Sequence, residues 1–196
     1  MTQVALDALV AGARSGCLVS FPTDTVPALA VRPNQAELIF AAKQRSQNKP
    51  LILMAATPMD LWSFVKGSAD ELLVWQQVAS LYWPGALTLV LRASDRVPLA
   101  LNPADPTTIG LRVPVEAIAH TILSQTGPLA TTSANFSGQI PLQTMAEIEA
   151  QFPDVLTLVP TELEASAPGT GVPSTVAKWT GCGWKILRQG AVKFDF

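Results

Sequence analysis

Ala5, Leu6, Leu9, Val10 and Ala13 recur at helical spacing and Gly16 interrupts the run, a stripe that predicts an amphipathic first helix. The apolar stretch "CLVSF" after it predicts a strand over residues 17–21, and "LAVR" predicts a short returning strand. In "PNQAELIFAAKQR" the residues Leu38, Ile39 and Ala42 share one helical face with Asn34 as N-cap, leaving Lys43 and Arg45 at the C-terminal end. Further along, "PLILMA" predicts a strand, "PMDLWSFV" and "SADELLVWQQVASLYW" helices, and "ALTLVLRA" and "TIGLRVP" strands. "VEAIAHTILSQTG" predicts a helix and "PLATT" a strand. The last third holds the helix "TMAEIEAQF", the strand "VLTLV", the loop "PTELEASAPGTGVP", and the strands "STVAKW" and "WKILR". Strands and helices interleave without repeats. That order predicts one α/β domain whose twisted, mixed sheet, parallel and antiparallel, stays open and is flanked by helices.

Composition narrows the classes. The chain has 196 residues, 48% of them apolar and 14% charged, enough for a large core and too little charge for a disordered segment. A net charge of −2 excludes the dense basic coat of a protein held to nucleic acid mainly by phosphate contacts. The start lacks a basic stretch leading into an apolar run, and no segment reaches the length of a membrane span, so a soluble cytoplasmic protein is expected. Cys17 and Cys182 lie far apart with only His120 as an imidazole, which supports neither a disulfide framework nor a zinc site. Two buried thiols and a structural histidine are expected.

The stretches able to carry chemistry sit at predicted strand ends. "FPTDTVPALA" leaves the second element with Thr23, Asp24 and Thr25. "KQRSQNKP" gathers Lys43, Arg45 and Lys49, a candidate anion site, although cations at a helix C-terminus also suit its dipole. Arg112 closes "TIGLR" near a strand end, where open α/β sheets bind ligands, and a solvent-facing arginine is the plainer alternative. In "ATTSANFSG" the small residues Ser133 and Asn135 allow close approach to a phosphate or carboxylate, or form an ordinary turn. "APGTGVPSTV" enters a strand through Ser174 and Thr175 and fits either a lid or an idle loop, and Arg188 ends the last strand. No Walker A loop, G-x-G-x-x-G, Ser/His/Asp arrangement or carboxylate pair is legible. Cations and small polar groups at strand ends are equipment for a nucleotide or another polyanion.

The ordered set "PTDTV", "KQR" with "NKPL", "WPGALTLVL", "TIGLRVP", "TTSANFSG", "GVPSTV" and "ILRQG" resembles the YrdC/Sua5 family of threonylcarbamoyl-AMP synthases over about residues 21–190. The resemblance implies a YrdC-like fold as one domain over residues 1–196, of the short TsaC type without a Sua5-type C-terminal domain. It implies a nucleotidyltransferase joining L-threonine, bicarbonate or CO2 and ATP, with Mg²⁺, into threonylcarbamoyl-adenylate and pyrophosphate. That product feeds N6-threonylcarbamoyladenosine formation at tRNA position 37, through a downstream threonylcarbamoyl-transferase complex. By motif, Lys43, Arg45, Ser133 and Asn135 form a central catalytic tetrad around carbamate and phosphates. Arg45, Ser133 and Asn135 also contact ATP, with Lys49 and Arg188. Thr25, Thr108, Arg112 and Ser174 hold threonine, and Thr175 stands beside them. Asp24 is a thought for Mg²⁺, with no protein ligand assigned.

Two segments depart from the family's usual "PTDTVYGLG" and "KGRP": Pro27, Ala28 and Ala30 in the first, Gln44 and Ser46 in the second. The missing tyrosine at Pro27 removes a ring and a hydroxyl beside the expected threonine pocket. Two other readings remain: an RNA-binding module of the same fold that contacts tRNA directly through the basic hollow, and a paralogue acting on a related carbamoyl-adenylate.

Overall fold

The computed structural model describes residues 2–44, 46, 49–164 and 166–196. In chain order it contains β1 (Gln3–Val4), α1 (Leu6–Ser15), β2 (Val19–Phe21), β3 (Ala28–Val31), α2 (Glu37–Ala42), β4 (Ile52–Met54), α3 (Ala69–Tyr82) and β5 (Leu87–Arg92). Then come β6 (Thr108–Arg112), α4 (Ala117–Thr126), β7 (Leu129–Ser133), α5 (Met145–Gln151), β8 (Thr157–Leu158), β9 (Thr175–Trp179) and β10 (Trp184–Arg188). The main sheet has eight strands in the order β10-β9-β5-β6-β4-β7-β3-β2. β5/β9 and β4/β6 pair in parallel and the other neighbours antiparallel, the mixed α/β arrangement expected.

Period-two alternation divides the strands between two layers. On one face Leu29, Val31, Leu53, Leu89, Leu91, Ile109, Leu111 and Ala177 form a core with Ile39 and Phe40 of α2, Trp75 and Val78 of α3, and Ile148 of α5. On the other, Val19, Phe21, Ala28, Ala30, Met54 and Leu129 pack against Leu9, Val10 and Ala13 of α1 and Ala119, Ile122 and Leu123 of α4. This second layer contains no residue of β5, β6 or β9. The middle of the sheet is therefore covered by helices on one side only.

Several local expectations are corrected. The helix expected over residues 33–45 begins as a 3₁₀ turn, Pro33–Gln35, and becomes α-helical only over Glu37–Ala42, with Ala36 and not Asn34 before its first residue. Pro33 at the first position favours a tight turn there. "PMDLWSFV" forms two 3₁₀ turns, Pro58–Asp60 and Trp62–Phe64, the first closed by reciprocal bonds between Thr57 and Asp60. "VLTLV" shrinks to β8, which pairs in parallel with β1 in a separate two-stranded ribbon. Cys17 and Cys182 are exposed, not buried, the first just past the αL residue Gly16 and the second in the turn between β9 and β10. His120 is exposed as well, because α4 turns Ala119, Ile122 and Leu123 inward.

Leu53, fully buried at the centre of the sheet, tests the layer assignment. Leu53→Ala is expected to lower unfolding free energy by about 2–5 kcal/mol, read by urea denaturation. A loss below about 1 kcal/mol would show that the site is not tightly packed.

Candidate active site

The uncovered half of the sheet is the floor of a cleft of about 570 Å³. Its middle row runs across five strands as Lys178, Val90, Gly110, Ile52 and Thr131, each beside the next in register. Gly110 stands at the centre of this row: a Cβ there would lie 2.7 Å from Ile52 Cγ2 and 3.4 Å from Thr88 Cγ2. The Ile52 and Thr88 side chains already occupy that space, so a glycine is what fits between them, and any side chain added there would push into the row. Thr108 and Arg112, four residues apart on β6, mark the two ends, about 13 Å from one another along the strand.

At the Arg112 end a guanidinium is buried to 4% exposure. It donates from Nε to Gly85 O at 3.1 Å, from one terminal nitrogen to Thr25 Oγ1 at 2.8 Å and from the other to Asp24 Oδ1 at 2.8 Å. Burial pulls its pKa below the ordinary arginine value, the Asp24 pair opposes that, and the nearby Arg188 adds to it. Arginine stays charged through such a shift, so a fixed cation stands at this end. The turn "PTDTV" supplies its partners by folding back over the sheet. Thr23 Oγ1 donates to Val26 O at 2.7 Å and accepts from Thr25 N at 3.2 Å, locking the turn. Asp24 Oδ1 also accepts from Val115 N at 3.3 Å. Asp24 is thereby committed to Arg112.

The Gly-rich loop before β9 lies directly on this turn. Thr170 N and Gly171 N donate to Asp24 O and Thr25 O, and a Cβ on Gly169 would lie 2.5 Å from Thr25 O, so only glycine allows the approach. The loop delivers Ser174, whose backbone carbonyl accepts two bonds from the Arg188 guanidinium, at 3.1 and 2.7 Å. Arg188 therefore sits at the Arg112 end, in register with Val176. Thr175 is buried, and its hydroxyl is engaged by Gly190 N and Val192 O instead of lining the cleft.

At the other end stand Thr108, Ser133 and Lys49. Behind them Lys43, 1% exposed, is the residue that ends α2. Its Nζ donates to Ser133 O and, at 3.1 Å, to Asn135 Oδ1. Ser133 Oγ donates to the same Oδ1 at 2.6 Å, while Asn135 Nδ2 donates to Phe136 O and Gln139 O. With both faces of its amide used, Asn135 is the brace that fixes Lys43 and Ser133. Lys49 Nζ, more exposed, donates to Ser137 Oγ at 3.1 Å. Arg45 lies outside the described residues. Gln44 has φ of 48°, the left-handed region where glycine is least costly, and it stands where the resembled pattern carries its glycine.

The structure thus brings Thr25, Lys49, Thr108, Arg112, Ser133, Ser174 and Arg188 to one cleft, with Lys43 and Asn135 immediately behind. Sequence reasoning missed Thr88, Asn102, Gly110, Asp105 and Lys178, which line it too. Thr107, Thr108 and Lys178 donate to the Asp105 carboxylate, and the Thr107 hydroxyl, the largest of these influences, helps hold it below the usual carboxylate range. Pro27 and Ala28, the departures in the first motif, form part of the wall. The signal that could have found Thr88, Gly110 and Lys178 was alternation: each is one step out of phase with the core residues of its strand.

Gly110→Val is expected to abolish ligand binding in the cleft while the far-ultraviolet circular dichroism stays that of the parent. Retained binding of a nucleotide or amino acid at parental affinity would show that ligands do not use this floor.

The sequence pattern of the family Sua5/YciO/YrdC, described as "Telomere recombination", matches residues 12–190. A threonylcarbamoyl-AMP synthase of Pyrococcus abyssi is 33% identical over 186 residues, covering 93% of this chain and 53% of that protein. A threonylcarbamoyl-AMP synthase of Vibrio cholerae is 33% identical over 195 residues and covers 96% of both. This chain thus spans about half the archaeal relative and nearly all of the bacterial one. The crystal structure of P. abyssi Sua5 complexed with L-threonine superposes with a TM-score of 0.83 at 30% identity, over 94% of this chain and 54% of that one.

Proposed function

Because the chain belongs to the Sua5/YciO/YrdC family, we propose that it is an L-threonylcarbamoyladenylate synthase, a nucleotidyltransferase that condenses L-threonine, bicarbonate or CO2 and ATP and releases pyrophosphate. The product serves N6-threonylcarbamoyladenosine formation at tRNA position 37, handed to a downstream threonylcarbamoyl-transferase complex. The observation that carries this reading is the polarity of the cleft. A buried arginine with hydroxyl neighbours stands at one end of the sheet face, and a braced lysine–serine–asparagine cluster at the other.

Arg112, Thr25 and Ser174 hold the threonine carboxylate and hydroxyl, since a planar guanidinium with fixed partners matches a carboxylate better than a mobile ammonium does. Thr108, expected on threonine beside Arg112, stands at the opposite end of β6 and there helps confine the substrates. The amine adds to CO2, forming an N–C bond and losing a proton to give the carbamate. A carbamate oxygen then attacks the α-phosphorus of ATP as the bond to pyrophosphate breaks. Two anions meet in this step, so the protein's main task is to align them and offset growing charge. Lys43 and Ser133, held by Asn135, and Lys49 do this around the phosphates, together with Arg45. Arg188, beside Ser174, extends positive charge toward the ATP from the amino-acid end.

Mg²⁺ accompanies ATP. Asp24 Oδ1 is engaged by Arg112 and Val115 N, and the Asp105 carboxylate by Lys178 and two threonines, and no protein ligand is assigned to the ion. Phosphate oxygens and water would be its ligands, as is usual for this ion, and its charge would offset that of the leaving pyrophosphate. Among the described residues no helix is long and apolar enough to cross a membrane, and we place the enzyme in the cytoplasm.

Pyrophosphate release is expected to require L-threonine and bicarbonate together. Arg112→Lys, which keeps charge but loses the fork, is expected to raise the threonine KM at least about 10-fold, with a smaller change in the ATP KM. Release that continues without threonine, or an effect confined to ATP, contradicts this assignment.

A further inference from the structure

Thr88 is a polar group of the cleft that the scheme above does not use. Thr88, 1% exposed, lies on β5 one step beyond the Leu89–Leu111 pair and so beside Arg112. Its Oγ1 is 2.8 Å from Ser174 Oγ, an arrangement in which either oxygen is able to donate. Among the described residues Ser174 is the only hydrogen-bond partner of this hydroxyl.

The direction of that bond follows from what each alternative leaves unpaired. If Ser174 donated to Thr88, the Thr88 proton would be buried without an acceptor and cut off from water, the costly arrangement for a hydroxyl. If Thr88 donates, its proton is satisfied. Ser174 Oγ then accepts from Thr88 and, at 3.4 Å, from an Arg188 nitrogen. Its own proton is left over, and of the two residues, both lining the cleft, Ser174 is the more exposed, at 5%.

We infer, building on the threonine-binding role proposed above for Ser174, that Thr88 is a positioning residue that makes Ser174 a hydrogen-bond donor toward the amino-acid end of the cleft. The chemistry it selects is an anionic oxygen, a carboxylate or carbamate, next to the Arg112 guanidinium. A neutral acceptor such as the amide of a threonine amide gains much less from a charge-assisted bond of this kind. Thr88 thereby contributes to choosing an amino acid over its uncharged derivatives without touching it.

Calorimetric titration of L-threonine separates this from a packing role, using the parent, Thr88→Val, Thr88→Ser, Ser174→Ala and the Thr88→Val/Ser174→Ala double variant. Thr88→Val keeps the shape and loses the donor, and Thr88→Ala replaces it should the valine variant fail to fold. The expected result is affinity at least about 10-fold weaker in Thr88→Val, restored to within about 3-fold of the parent in Thr88→Ser. The double variant is expected to be within about 2-fold of Ser174→Ala alone, since a residue that acts through Ser174 has nothing left to act on. Losses that multiply in the double variant, or a Thr88→Val protein that binds like the parent, overturn the role of Thr88 and leave the proposed function standing. A parent protein that binds no L-threonine removes that function and this inference with it.

Discussion

A β-strand must present its alternate side chains to two opposite faces, and in this sheet one of those faces runs out of helices. α1 and α4 cover the β2–β3 side, and the second hydrophobic layer takes nothing from β5, β6 or β9. Leu89, Leu91, Ile109 and Leu111 are buried on one side of these strands, so their neighbours Thr88, Val90, Thr108, Gly110 and Arg112 must face the other. An apolar set there would be an exposed patch; a mostly small and polar set makes a cleft. The chemistry of the site is a consequence of which half of the sheet was left bare.

Burying Arg112 imposes the next constraint. A guanidinium out of water is tolerated only with partners, and two separate segments supply three of them: Gly85 before β5, and Thr25 and Asp24 from the turn between β2 and β3. That turn is in turn clamped by the glycine loop that carries Ser174. One buried charge thus ties together four stretches that are distant in sequence. At the opposite end Asn135 plays the corresponding part for Lys43, accepting from it and from Ser133 while its amide hydrogens are anchored on the backbone.

Much of this was legible in the chain. Interleaved apolar runs point to the mixed α/β sheet, and the strand-exit stretches "PTDTV", "TIGLR", "TTSAN" and "GVPST" each contribute to the wall or floor of the cleft. Legibility failed where local propensity was weak or where position depended on tertiary contact. "PMDLWSFV" has the apolar content of a helix, yet the Thr57–Asp60 closure and Pro58 make it a pair of tight turns. Thr88 and Gly110 look like ordinary strand residues, and only the missing helix above them makes them part of a site. Thr175 was paired with Ser174 because it is adjacent, but alternation turns its hydroxyl to the opposite side. Asp24, which the sequence offers as a thought for Mg²⁺, is the ion-pair partner of Arg112.

The central claim is that the two ends of this sheet face hold the two halves of one product. A crystal structure of the protein with L-threonine and a non-hydrolysable ATP analogue tests it most directly. The threonine carboxylate is expected on Arg112 beside Thr25 and Ser174, with the phosphates directed to the Lys43–Ser133–Asn135 cluster and the amine between them over Gly110. Threonine at the Lys43 end, or a nucleotide bound away from the cleft, would contradict it.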